Sequence, residues 1–179
     1  LGETTRDEDI PAIVITGPTG AGKTTAALEL CDLLAERGVR NAMVDMDALR
    51  WFYPPVEGDR FSAGLGFRNL AAIWPNLVEA GAKAVILADV VEDAAQKKLY
   101  QELMPGAAVT VVRLDVPMDL IYQRLAGREV GESLEWHRRR APELQEIMER
   151  GGVGDVVIEV GERSPREVAE LIAGRCGLG

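Results

Sequence analysis

Residues 17–24 read Gly17-Pro18-Thr19-Gly20-Ala21-Gly22-Lys23-Thr24, a complete G-x-x-x-x-G-K-[ST] pattern. Glycines at this spacing let the backbone curl into a ring of N–H donors that fits phosphate oxygens. A helix starting at its end adds partial positive charge. In such a loop Lys23 reaches the β- and γ-phosphates, and the Thr24 hydroxyl ligates Mg²⁺. The expected nucleotide contacts are therefore Gly17, Pro18, Thr19, Gly20, Ala21, Gly22, Lys23, Thr24 and Thr25, with ATP and Mg²⁺ as cofactors.

Carboxylates follow two apolar runs. Val44-Asp45-Met46-Asp47-Ala48-Leu49-Arg50 places two acids and an arginine together. Either Asp45 or Asp47 could accept a proton from an attacking hydroxyl, and Arg50 could clamp a polar part of the acceptor. The competing reading has Asp47 capping a helical turn. Val85-Ile86-Leu87-Ala88-Asp89 ends on an acid suited to hold Mg²⁺ through water or to orient the acceptor. The competing reading is a turn aspartate. Asp115 is read as a turn or cap residue.

Arginine outnumbers lysine 16 to 4, mostly late in the chain. Arg124 and Arg128 are spaced to share a helix face. With Arg138, Arg139 and Arg140 they suggest an arginine-bearing lid over residues 127–141, which would neutralise developing charge and exclude water. A solvated helix paired with Glu129, Glu132, Glu135 and Glu143 is the plainer account of the Arg138–Arg140 run. His137, the only histidine, is read as structural. Trp51-Phe52-Tyr53 either lines an acceptor pocket or covers the sheet edge.

These groups need elements to hold them. Residues 12–16, 41–45, 84–89, 109–115 and 156–160 are near-continuous apolar runs, as in parallel strands buried on both faces. Helical patterns cover residues 23–37, 67–80, 92–104 and 117–125, with Pro75 expected to kink or split the second. Ser164-Pro165-Arg166-Glu167 is a capping box with proline at the first helical position, opening a last helix. The alternation predicts a three-layer α/β/α fold with right-handed crossovers. Ligands bind such folds at the carboxyl ends of the strands.

The chain has 179 residues and a net charge of −9, which suits one domain over residues 10–179 behind a flexible tail at 1–9. The acidic balance disfavours nucleic acid as a partner. Two distant cysteines, Cys31 and Cys176, argue against a disulfide and for a cytoplasmic setting. Cys31 is expected in a helix core rather than as a nucleophile. No run is long enough for a membrane span.

Taken together, Gly17–Thr24, Asp45–Arg50 (D-x-D-x-x-R) and the Arg124/Arg128 pair resemble the small P-loop kinases of the nucleoside-monophosphate-kinase-like fold. Adenylylsulfate (APS) kinase is most similar, through D-G-D-x-x-R, Phe61-Ser62 and Arg68-Asn69, with Met46 in place of the glycine. Leu87-Ala88-Asp89-Val90 stands where that family has I-S-P. Gluconate- and chloramphenicol-type phosphotransferases share the layout. The resemblance implies a five-stranded parallel sheet in order 2-3-1-4-5. It also implies acceptor contacts from Asp47, Arg50, Arg68 and Asp89, Mg²⁺ at Thr24 and Asp89, and Arg124 and Arg128 closing over the transferring group. Arg163 would stack on adenine.

The expected activity is transfer of the ATP γ-phosphate to a small-molecule hydroxyl or phosphate by a monomer or homodimer. The alternative is an ATP-binding regulator or ATPase module without an acceptor.

Overall fold

The computed structural model describes residues 9–179, without the side chains of Arg60 and Arg128. Of the expected tail only Asp9 falls among them. The strands are β1 (Ile10–Thr16), β2 (Asn41–Asp45), β3 (Ala84–Ala88), β4 (Ala107–Asp115) and β5 (Val156–Glu159). They form one all-parallel sheet in the order β2-β3-β1-β4-β5. The expected fold and strand order are both present.

β1 lies at the centre, and its side chains alternate between two cores. Ile13 and Ile15 pack with Leu30, Leu34, Ile121, Leu125 and Ile172 on one face. Ala12 and Val14 pack with Leu70, Trp74, Tyr100 and Met148 on the other. Ile13, Ile15, Leu30 and Leu34 are essentially solvent-free, and each such burial stabilises by roughly 2 kcal/mol. The chain goes from β1 towards β2 on one side and reaches β4 on the other. The crevice at the carboxyl ends therefore opens beside β1.

The first core is covered by α1 (Lys23–Glu36), α5 (Met118–Arg128) and α7 (Pro165–Cys176). The second is covered by α3 (Ala63–Glu79), α4 (Gln96–Leu103) and the end of α6 (Gly131–Arg150). The short α2 (Met46–Leu49) follows β2 directly. α7 opens with the expected capping box: the Glu167 N–H donates to Ser164 Oγ at 3.3 Å, and the Ser164 N–H donates to Glu167 Oε2 at 2.8 Å.

Several elements differ from expectation. α3 starts at Ala63 rather than residue 67, because the Asp59 carboxylate accepts from the N–H groups of Gly64 and Leu65 at 2.9 and 3.0 Å. It also runs unbroken through Pro75. α4 starts at Gln96 rather than residue 92, because Asp93 and Gln96 side chains bind the preceding backbone into a turn. α6 is a further helix: residues 131–141 of the expected lid are the start of one 20-residue helix. Its buried Ala141, Leu144 and Met148 follow the i, i+3, i+7 spacing of a packed helix face. Among the described residues no helix is long and apolar enough to cross a membrane.

Candidate active site

The loop from β1 into α1 forms the cradle. Gly20 and Gly22 adopt φ of 86° and 92°, a region that costs little only without a Cβ. At Gly20 a Cβ would also stand 3.2 Å from Ile121 and Leu125 side chains, so α5 seals the back of the loop. Lys23 Nζ donates to the carbonyls of Gly17 and Pro18 at 3.0 and 3.1 Å, which keeps the ammonium inside the ring. A cavity of about 270 Å³ beside the loop is lined by Gly20, Ala21, Gly22, Thr25, Arg124 and Arg163 among others.

Asp45 and Asp47 have different surroundings. Asp45 caps α2 by accepting from the Asp47 N–H at 2.9 Å, and its other oxygen accepts from the Thr24 hydroxyl at 3.2 Å. The cap is thus Asp45 and not Asp47. Asp47 leaves its side chain 77% exposed, bordering a second cavity. Arg50 Nη1 lies 3.5 Å from Asp47, and Arg50 Nη2 lies 2.8 Å from Asp89. Arg50 Nε is buried and unpartnered among the described residues.

Asp89 is 3% exposed. One oxygen accepts from Arg50 and from the Val90 N–H, and the other accepts from the Tyr100 hydroxyl. Burial raises its pKa from the ordinary aspartate value, and Arg50, Tyr100 and the Val90 N–H oppose that rise. Burial and the neighbouring Asp89 push the Tyr100 phenol well up, so it remains the donor. This carboxylate is committed to protein partners. Thr24 and Asp45 are instead the pair whose oxygens adjoin at the loop, as Mg²⁺ shared with nucleotide phosphates requires. The described residues contain no group of three or more His, Cys, Asp or Glu able to hold a metal alone.

The second cavity, about 430 Å³, begins at Thr19 of the loop. Asp47, Arg50 and Asp89 form one wall, Phe61 and Phe67 another, and α6 supplies Trp136, His137 and Arg140. Since Thr19 borders this cavity and Gly20–Gly22 border the first, the phosphate loop runs between them. Arg140 binds Glu92 at 2.7 Å and Glu143 at 2.8 Å. His137 Nδ1 lies 2.5 Å from Glu129 Oε2, and the Trp136 ring meets the imidazole edge-on at 4.8 Å.

Several expected residues stand elsewhere. Arg68 is exposed beside Asp59 and does not line the cavity. Arg124 donates to the carbonyls of Gly20 and Ala21 at 3.4 and 3.1 Å, beside the first cavity rather than the second. Arg128 ends α5, and its side chain lies outside what is described. Arg163 is in the first cavity, bonded to the Glu159 carbonyl at 2.7 Å. Trp51, Phe52 and Tyr53 are 86%, 56% and 88% exposed and border neither cavity. Phe61, Phe67 and Trp136 do the lining that this run suggested. Cys31 packs against the first core, and burial lifts its thiol to about 11, which keeps it protonated and inert.

The model of the CobQ/CobB/MinD/ParA nucleotide binding domain matches residues 12–51, the strand–loop–helix–strand unit of the cradle and the two aspartates. No curated protein matches the chain. The tunicamycin resistance protein of Deinococcus radiodurans is similar in structure, with TM-score 0.66 and 23% identity, covering 95% of this chain and 97% of that one. A gluconokinase from Sinorhizobium meliloti 1021 gives TM-score 0.63 and 20% identity over 95% and 93%. Shikimate kinase from Acinetobacter baumannii gives 0.57 and 23% over 94% and 93%. These similarities concern the fold: the described residues have the architecture of a P-loop NTPase.

Proposed function

We propose that the protein is an ATP-dependent phosphotransferase acting on a small hydroxyl compound. The observation that carries this reading is the phosphate loop lying between two cavities, with Asp47 exposed in the second. A regulator or simple ATPase has no need of the second cavity. The fold shared with gluconokinase and shikimate kinase supports the same reading.

In this scheme the base and ribose occupy the first cavity beside Arg124 and Arg163, and the loop amides and Lys23 hold the phosphates. Thr24 and Asp45 would hold Mg²⁺, which would supply charge neutralisation at the phosphates. The acceptor hydroxyl sits beside Thr19, within reach of Asp47. Asp47 takes its proton as the oxygen attacks the γ-phosphorus, and ADP leaves on the far side of the loop. Arg50, fixed by Asp89, keeps Asp47 and the acceptor in place. Asp45 is engaged by Thr24 and the α2 cap while Asp47 stands exposed at the second cavity, which favours Asp47 as the base.

The test is ADP release from Mg·ATP against nucleosides, sugar acids, small alcohols, nucleotides and APS. Stimulation by one acceptor, lost in Asp47→Asn, is expected. Tight ATP binding with no stimulation by any acceptor would favour the regulator reading.

A further inference from the structure

Asp89 is the one buried charged residue among the described residues, and Tyr100 beside it is solvent-free. Tyr100 comes from α4, and its ring packs edge-on against Phe67 of α3 with centroids 5.8 Å apart. Phenylalanine would fill that core equally well, so packing does not account for the hydroxyl. A buried hydroxyl is costly unless it is bonded. This one donates to Asp89 Oδ2, while Asp89 Oδ1 accepts from Arg50 Nη2 and the Val90 N–H, each at 2.8 Å. Arg50 Nη1 then lies 3.5 Å from Asp47 at the second cavity. Contacts therefore run without a break from α4 to Asp47.

The other side of Arg50 is equally constrained. A Cβ on Gly66 of α3 would stand 3.2 Å from Arg50 Cβ and 3.4 Å from its Nε. The arginine thus lies against helix backbone where no side chain intervenes. Its Nε is buried there without a partner, a cost that stability alone does not explain. Gly66 fixes the stem of Arg50, and Asp89 fixes its head. Asp89 in turn has two oxygens to satisfy in a buried place. The Tyr100 hydroxyl satisfies the second oxygen without bringing a charge that would compete with Arg50 for the carboxylate.

Resting on the kinase reading, we propose that Tyr100 is a positioning residue for phosphoryl transfer: its hydroxyl aims the Asp89 carboxylate at Arg50, and Arg50 holds Asp47 at the second cavity. Tyr100 is solvent-free, so it acts through Asp89 and not on the acceptor. Without the hydroxyl one Asp89 oxygen is left buried and unpaired. The carboxylate then turns or takes up a proton, and in either case its grip on Arg50 weakens. Misplacing a positioning group by a fraction of a turn is enough to slow transfer.

The experiment uses the whole protein and two readings. The reactivity of Arg50 towards phenylglyoxal is followed by the mass of the peptide that carries it. Turnover is followed as ADP release from Mg·ATP with uridine, 2-phenylethanol, shikimate and gluconate as acceptor probes. Tyr100→Phe keeps the ring and removes only the hydroxyl. It should raise the Arg50 reaction rate about fivefold, the worth of one hydrogen bond in an equilibrium. It should also lower kcat with the best probe about tenfold, with KM for ATP within about twofold. Asp89→Asn should loosen Arg50 at least as much, and the double variant should be no worse than Asp89→Asn alone, since the hydroxyl acts through that carboxylate. Gly66→Ala disturbs Arg50 from the opposite side and should give the same pair of changes with Tyr100 and Asp89 intact. Ser164→Ala, destabilised elsewhere, should change neither reading. An unchanged Arg50 rate in Tyr100→Phe, or additive effects in the double variant, overturns the inference. A raised Arg50 rate with kcat unaltered overturns it too. If no probe stimulates the wild type while Tyr100→Phe still frees Arg50, the kinase reading fails and the positioning of Arg50 by Tyr100 stands.

Discussion

The two cavities on either side of the phosphate loop are built differently. On the first side the phosphate loop is one stretch of chain, residues 17–22 between β1 and the start of α1, and the end of β4, α5, the loop after β5 and α7 complete the cavity. The second cavity is assembled from α2, the turn before α3 and the start of that helix, the segment after β3 and a face of α6. The first is fixed by local backbone conformation. The second depends on packing between elements far apart in the chain. Phosphate geometry is the same for every ATP, so a rigid local loop serves it, whereas an acceptor can be changed by altering any of several walls.

This difference predicts two classes of variant. The largest effect belongs to the loop: Lys23→Ala should abolish turnover with every acceptor, by roughly 10³-fold or more, since loss of phosphate charge stabilisation is not acceptor-specific. Next, Asp47→Asn should lower kcat by roughly 10²- to 10⁴-fold while leaving ATP affinity unchanged in a binding titration. Equal loss of ATP binding in the two variants would erase the distinction between the cavities.

Stability sharpens the comparison. Arg50→Met leaves Asp89 buried without its cation and should cost about 3 kcal/mol near pH 8 in urea unfolding. Burial already raises the Asp89 pKa, and removing Arg50 raises it further. The folded state then holds a proton more tightly than the unfolded chain, so stability falls as pH rises through that folded pKa. The Arg50→Met penalty should accordingly shrink as pH falls towards the unfolded carboxylate value of about 3.9. A penalty independent of pH would show that Asp89 is not its source.

The smallest expected effects lie outside both cavities. Ser164→Ala removes the α7 cap and should cost about 1 kcal/mol by thermal or urea unfolding, with kcat unchanged. Replacing Trp51 or Tyr53 by serine should change stability by less than about 0.5 kcal/mol and leave acceptor KM unaltered.

The same contrast explains what the sequence made legible. Eight consecutive residues carry the phosphate cradle, so reading them in order sufficed. Asp45, Asp47 and Arg50 were readable for the same reason. Their division of labour was not, because it depends on Thr24 lying 3.2 Å from Asp45 across the sheet edge. Asp89 gave a metal-ligand signal by position, yet folding closes it between Arg50 and Tyr100. The aromatic run at Trp51 drew attention by adjacency to Arg50, but α2 ends at Leu49 and the chain turns outward. Phe61, Phe67 and Trp136 share no local spacing, so only tertiary packing brings them together. For α6 a signal was present: Leu134, Ala141, Leu144 and Met148 recur at helical intervals, and the charged residues between them masked it.

The most direct test of the central claim follows the γ-phosphate itself. The protein is given Mg·ATP labelled at the γ-position, with an acceptor chosen from the panel, and the label is partitioned between acceptor and inorganic phosphate. If the loop joins two working cavities, the label appears on the acceptor in the wild type and not in Asp47→Asn, with both proteins binding ATP equally. Label found only in inorganic phosphate, whatever compound is added, would contradict the account and leave a nucleotide-binding module whose second cavity serves another purpose.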